Sequence, residues 1–315
     1  SANIAYVKWD MNRIFSDYYS KYLKAQGRPQ GETAHRYVMA LGRIMRTLTE
    51  RFPHILFEGC AAGGNRFDLG ILCYFPQIWA SDNTDAVSRA YIQEGLSYGY
   101  PMSTVSAHVS ACPNHQTLRV TPLSTRFNVA AFGICGYECN LVDMSRAERS
   151  EIKTQIDIYK KWRHTTQFGS FYRQRTGNIH QWTVVDEEAG RAVGLIMQEL
   201  VRANTQNEEY YAAGLDPEAV YSFYNRPLKH NVKEFGDLIN TVAPIHIRQG
   251  SLLHGMVAKF VTMPGETEKY ELSGSMLMNC GVRLKQAFAA TGFSEEVRHF
   301  PDFASRLYFM EKISD

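Results

Sequence analysis

The 315-residue sequence lacks a surplus of either charge: 34 Lys and Arg stand against 32 Asp and Glu, for a net charge of +2 with His neutral. Without a basic surplus there is no expected face for a phosphate backbone, so nucleic acid is not an expected partner. No apolar run approaches the roughly 18–20 residues of a membrane helix, so no membrane span is expected. The first residues have neither the basic start nor the apolar core of a secretory signal, and they lack an initiator Met. They enter a strand-like run at once and read as a chain cut from something longer. Cysteine is sparse, at six residues: Cys60, Cys73, Cys112, Cys135, Cys139 and Cys280. The Cys135–Cys139 pair is CxxxC with no second Cys or His pair at zinc spacing. Reduced thiols in a cytoplasmic protein are the expectation. There is no internal repeat and no low-complexity stretch. What is present is globular: 44% hydrophobic and 21% charged residues, enough to bury a core without staples.

Short apolar runs alternate with helical stretches through the first half. Strands are expected at 4–10, 54–60, 77–82, 103–110 and 127–135. Helices are expected over 11–51 with a break at 27–31, over 84–98, and over 145–162. This alternation predicts parallel βα units, with strands ending near Asp10, Cys60, Asp82, Ser110 and Cys135. In a (β/α)8 barrel the active site is built at that end of the strands. From about residue 169 the pattern changes to a hairpin over 181–197, turning through DEEAG, and strand-like runs at 218–224, 252–262 and 305–312. The reading is α/β plus all-β: residues 1–168 as a partial (β/α)8 TIM-type barrel with only its later strands, and residues 169–315 as an antiparallel β-sandwich.

Two carboxylates at strand ends invite chemistry. Asp10 follows Lys8 by two residues; it is either a helix-capping Asp or a carboxylate nucleophile kept ionised by the nearby cation. Asp82, in SDNTD, is either a cap, alone or through Ser81, or a second carboxylate facing the first. Two carboxylates across a sugar-sized cleft cleave glycosidic bonds, one ionised and one protonated. The loop EGCAAGGNRFD (58–68) matches neither dinucleotide nor P-loop fingerprints, but its glycines let backbone N–H groups approach a ligand. Cys60 is either a core thiol or a pocket wall, and a thiol nucleophile would need a base such as His108 or His115. Those two histidines lack a third partner for a metal. Trp9, Trp79 and Tyr74 are core aromatics or sugar-stacking platforms.

The octamer YVKWDMNR (6–13) resembles the nucleophile motif of α-galactosidases of glycoside hydrolase family thirty-six. In order along the chain, EGCAAGGNRFDLG (58–70), PQIWASDNTDA (76–86), SAHVSACPNHQT (106–117) and TRFNVAAFGICGYE (125–138) are similar to later motifs of that family. GLDPEAVY (214–221), SGSMLMNCGV (273–282) and DFASRLY (302–308) resemble its C-terminal sandwich.

The resemblance implies a retaining mechanism with Asp10 as nucleophile and Asp82 as acid/base. It implies that Lys8, Trp9, Asn12, Cys60, Gly63 and Gly64 line the sugar site, and it implies no metal or organic cofactor. Expected substrates are α-galactoside oligosaccharides of the melibiose and raffinose type. Neighbouring alternatives are an α-N-acetylgalactosaminidase and a galactosyl-transferring raffinose or stachyose synthase. The family carries an N-terminal β-domain and earlier barrel strands before the KWD strand, including an Asp-Asp-Gly-Trp motif that binds galactose. This sequence begins after them. A half-barrel with open edges is expected to pair with itself as a homo-oligomer, or else to be an inactive fragment with a structural or weak sugar-binding role.

Overall fold

The computed structural model describes residues 3–12, 16–202, 208–241, 243–285 and 299–314. The first half runs β1 (Tyr6–Asp10), α1 (Lys21–Ala25), α2 (Glu32–Arg51), β2 (Leu56–Cys60), α3 (Leu69–Leu72), β3 (Gln77–Trp79), α4 (Ala86–Leu96), β4 (Val105–Ser110), α5 (Leu123–Ala130), β5 (Ile134–Glu138) and α6 (Arg146–Phe168). The strands form one parallel sheet in the order β1-β2-β3-β4-β5. This is an open portion of a β/α barrel, and its five C-terminal strand ends lie along one rim. The alternation within each strand sorts its residues. Val7, Trp9, Phe57, Ile78, Val105, Ala107 and Val109 take one parity. Of these, Val7, Trp9, Phe57 and Ile78 pack with Met45 of α2, Ile71 of α3 and Phe75, while Ala107 and Val109 join Phe127 of α5. Tyr6, Lys8, Asp10, Glu58, Cys60, Gln77, Trp79, Ser106 and His108 take the other, and that face is mostly polar.

The second half runs β6 (Ser170–Thr176), β7 (Ile179–Val185), β8 (Arg191–Gln198), β9 (Glu209–Tyr210), β10 (Val220–Asn225), β11 (Lys229–Asn231), α7 (Leu252–Phe260), β12 (Thr262–Pro264), β13 (Lys269–Ser273), α8 (Gly274–Asn279), β14 (Val282–Arg283) and β15 (Ser305–Ser314). A six-stranded antiparallel sheet has the order β13-β10-β15-β8-β7-β6; β11-β12 and β14-β9 form two small pairs. Both faces of the large sheet are buried. Trp182, Val184, Val193, Leu195, Met197, Leu307 and Phe309 face the barrel helices, packing with Phe127 and Trp162. Their neighbours Ala192, Ile196, Tyr308 and Met310 face the opposite layer with Tyr210, Tyr221 and Leu277.

Four expectations are corrected. Residues 16–20 are not helical; Ser20 caps the short α1, and the long helix begins only at Glu32. The run 127–135 is mostly the end of α5, and the strand begins at Ile134, so Cys135 lies at its start rather than at the reactive rim. Leu252–Phe260 is a helix, capped by the Ser251 hydroxyl on the His254 N–H. The helix after β5 continues to Phe168, beyond the expected end at 162, from the Ser145–Glu148 capping box. The expected helical residues 13–15 lie outside the described residues.

Candidate active site

Neither rim carboxylate caps a helix. Asp10 is the last residue of β1, and the next helix is capped by Ser20. The cap of α4 is Asp85, which accepts from the Ser88 N–H at 3.0 Å and holds Arg119. Asp82 sits three residues earlier, exposed, with one oxygen accepting from the Trp79 indole N–H at 2.8 Å. Its other oxygen accepts no hydrogen bond from the described residues. Both groups are therefore available for chemistry, and the capping readings fall away.

Parallel pairing sets Lys8 opposite Glu58 and Asp10 opposite Cys60. Around Asp10 the donors converge. The Cys60 thiol donates to it, the Asn12 amide donates at 2.9 Å, the Ala62 N–H and Lys8 add to these, and together they hold its carboxyl below the usual range. Burial pushes the Cys60 thiol up to about 11, so it remains a protonated donor and not a nucleophile. Asn12 also accepts from the Ala62 N–H at 2.6 Å, which ties β1's end to the loop after β2. That loop reaches the second carboxylate. A Cβ on Gly63 would stand 2.9 Å from Ser81 Cα and 3.3 Å from the Asp82 nitrogen, and one on Gly64 2.8 Å from the Ala80 carbonyl. The two glycines are thus required by close backbone approach. Ala62, at φ 46°, adopts the left-handed region without being glycine.

Beneath the rim, Lys8 places its ammonium 4.1 Å from the centroid of the Trp79 ring and 3.9 Å from Glu58. Glu58 is 1% exposed. It accepts from Gln77 at 3.0 Å, from Ser106 at 3.0 Å, and from the Tyr6 hydroxyl; burial pushes its carboxyl up. Trp79 also lies against His108, with ring centroids 4.5 Å apart. A continuous chain of contacts, Glu58–Lys8–Trp79–Asp82, supports one carboxylate, while Cys60 and Asn12 support the other. The geometry has the elements of a two-carboxylate hydrolytic site: one acid held ionised, and one anchored through a single oxygen.

The structure brings Lys8, Asn12, Cys60, Gly63 and Gly64 together with the two carboxylates. Trp9 is the exception. It takes the opposite parity and packs toward Phe75, ring centroids 5.8 Å apart, away from Lys8 and Asp10. Of the other aromatics weighed as platforms, Trp79 is 3% exposed and serves through its N–H. His108 meets Glu138 at 3.4 Å, and His115 is exposed; neither joins a metal-type cluster among the described residues. Glu58, Gln77 and Ser106 were not singled out from the sequence. Their signal was parity: Glu58 stands two residues before Cys60 on the same strand face.

Cys60 offers a direct probe of the pH response. Cys60→Ala removes the first of the groups depressing Asp10, so the acid limb of kcat/KM is expected to move to higher pH. Cys60→Ser restores a donor and is expected to move it back. An unmoved limb in both variants would separate Asp10 from that limb.

The family model for melibiase matches residues 1–169, and that for the glycosyl hydrolase family 36 C-terminal domain matches residues 179–310. Alpha-galactosidase 1 of Pediococcus pentosaceus is 46% identical over 224 residues, covering 70% of this chain and 30% of that protein. Alpha-galactosidase Mel36A of Lactobacillus acidophilus is 45% identical over 223 residues, with the same coverage of 70% and 30%. Among solved structures, a family 36 α-galactosidase of Geobacillus stearothermophilus in complex with raffinose superposes with a TM-score of 0.78 at 35% identity, covering 99% of this chain and 36% of that one. A stachyose complex from the same organism gives 0.77 at 36% identity, again covering 99% and 36%. The chain thus spans about a third of the length of the relatives it matches.

Proposed function

The chain belongs to the melibiase family of glycoside hydrolases, and from that premise we propose that the protein releases terminal α-linked galactose from α-galactoside oligosaccharides with retention of configuration. The observation that carries this reading is the pair Asp10 and Asp82: neither caps a helix, and both are joined through the Cys60–Gly64 loop. In the first step an Asp10 oxygen attacks the anomeric carbon as the glycosidic C–O bond breaks. The departing oxygen takes a proton from the Asp82 oxygen not held by Trp79. In the second step water attacks the same carbon, gives its proton to Asp82, and releases Asp10. Lys8 and Asn12 supply donors to the sugar hydroxyls, and the loop backbone closes the floor. That solved relatives bind raffinose and stachyose supports this substrate class.

The test is turnover of 4-nitrophenyl α-D-galactopyranoside and of raffinose by the purified protein, with the product anomer followed by NMR. Release of α-galactose first is the expected result. Release of β-galactose, or no turnover by folded protein, overturns the reading for these residues. A second expected outcome separates the carboxylates. Asp82→Asn removes the proton donor, so raffinose hydrolysis should fall on the order of 10²–10⁴-fold. In kcat/KM, which reports only formation of the glycosyl-enzyme, the nitrophenyl substrate, whose leaving group needs little protonation, should lose much less. Equal losses on both substrates would remove Asp82 from the acid role.

We further propose that the protein assembles as a homo-oligomer; a monomer by light scattering counts against it. A cytoplasmic location accords with six unpaired cysteines. Labelled protein found in the secreted fraction would contradict it.

A further inference from the structure

In the C-terminal half, three side chains from two stretches of chain converge. His230 is the middle residue of β11, Glu234 lies in the 3-10 segment Val232–Thr241 that follows, and His299 lies shortly before β15. His230 Nδ1 is 3.0 Å from Glu234 Oε2, and His299 Nε2 is 3.6 Å from the same oxygen. One donor atom from each residue lies within 4.8 Å of the others. Both nitrogens of the His299 ring are buried without a hydrogen-bond partner among the described residues. A buried polar atom left unpaired is costly, and a ligand at Nε2 would relieve one of the two. The carboxylate is already oriented: Glu234 Oε1 accepts from the Asn231 N–H at 2.8 Å, which turns Oε2 toward both imidazoles. Below them Val232, Phe235, Ile239 and Met263 form an apolar floor, and the Phe235 ring lies tilted against His299 with centroids 4.4 Å apart.

We propose that His230, Glu234 and His299 form a binding site for a divalent zinc ion that fastens the β11 segment to the chain entering β15. Two imidazoles and one carboxylate are a borderline donor set suited to zinc and unlike the all-oxygen shells of magnesium or calcium. Zinc–ligand bonds of about 2.0–2.1 Å place tetrahedral donors about 3.3 Å apart. The two edges at 3.0 and 3.6 Å bracket that value. The backbone bond to Glu234 Oε1 is the outer support such ligands use. The partly exposed Glu234 side leaves room for entry and for a water as fourth ligand. The site shares no residue with the carboxylate pair, so the ion acts on stability and not on the glycosidic step.

The experiment begins with purified protein stripped by chelator, dialysed against zinc chloride and assayed by mass spectrometry for bound metal. The expected result is one zinc per chain, a melting rise of roughly 3–6 °C, and no such rise with magnesium. His299→Ala and Glu234→Gln should each lose the bound zinc and the melting shift. Each should keep the stripped protein's circular dichroism and leave glycoside turnover unchanged. Cobalt substitution separates the imidazole site from the six cysteines, since thiolate ligation adds an intense charge-transfer band. Equal zinc content in wild type and both variants, no melting shift, or a thiolate band overturns the proposal.

Discussion

Replacing Asp10 by Asn is expected to lower turnover of 4-nitrophenyl α-D-galactopyranoside by at least about 10³-fold. The melting temperature should barely move. The first half follows from chemistry. An amide cannot form the glycosyl ester, and the donors now converging on the carboxylate from Cys60, Asn12, Ala62 and Lys8 would stabilise a charge that no longer exists. The second half follows from geometry. Asp10 is exposed at the end of β1, and Asn keeps an oxygen for the Asn12 amide, now at 2.9 Å, and for the thiol. Surface changes of this kind stay within about 0.5 kcal/mol. Because the Asp10 carboxyl titrates below the usual range in the folded protein, its own contribution to stability is present above the unfolded value. It is lost as pH falls through the lower, folded one. The small stability gap between wild type and variant should therefore close at acid pH, while the two remain far apart in activity at neutral pH. Activity within tenfold of wild type would falsify the nucleophile assignment.

The rim positions of Asp10 and Asp82 are legible in the sequence because each follows a short apolar run, and because the surrounding motifs resemble one family in order. Trp9 was misassigned although the sequence held the answer. In YVKWD, alternation puts Lys8 and Asp10 on one face and Val7 and Trp9 on the other, and the structure keeps that parity. The role of Trp79 was not legible, since its link to Asp82 is a side-chain bond across a strand end. The misread elements share a cause. Residues 127–132 and Leu252–Phe260 are short, mostly apolar stretches in which buried strand and buried helix cannot be told apart by period. Local caps decided them: Pro122 before α5, and the Ser251 hydroxyl before α7. Conversely, the hairpin over β7 and β8 was readable because its turn chemistry and its alternation agree. The His230–Glu234–His299 cluster lay beyond any motif, because its third member comes from a distant stretch of chain.

His180 supplies the second large expected effect. It is fully buried where the barrel meets the large sheet, between Glu94 of α4 at 2.7 Å and Glu199 at 2.8 Å. Glu94 also accepts from the Trp182 indole at 2.8 Å, and Glu199 from the Tyr91 hydroxyl. Burial alone would lower the imidazole, but the bonds and charges of the two carboxylates outweigh it and hold His180 above its ordinary 6.5. His180→Ala leaves two acids facing a cavity without their cation. Breaking a buried ionic contact on one side costs about 3–5 kcal/mol, so the melting temperature should fall on the order of 5–10 °C. The pH dependence has a fixed sign. A group whose folded value is raised stabilises fully below its unfolded value, and that contribution disappears as pH climbs through the folded one. The gap between wild type and variant, followed by thermal melts across pH, should therefore be widest on the acid side of 6.5 and should narrow above it. A gap that grows with pH would mean that His180 is held neutral, with the carboxylates carrying the protons instead.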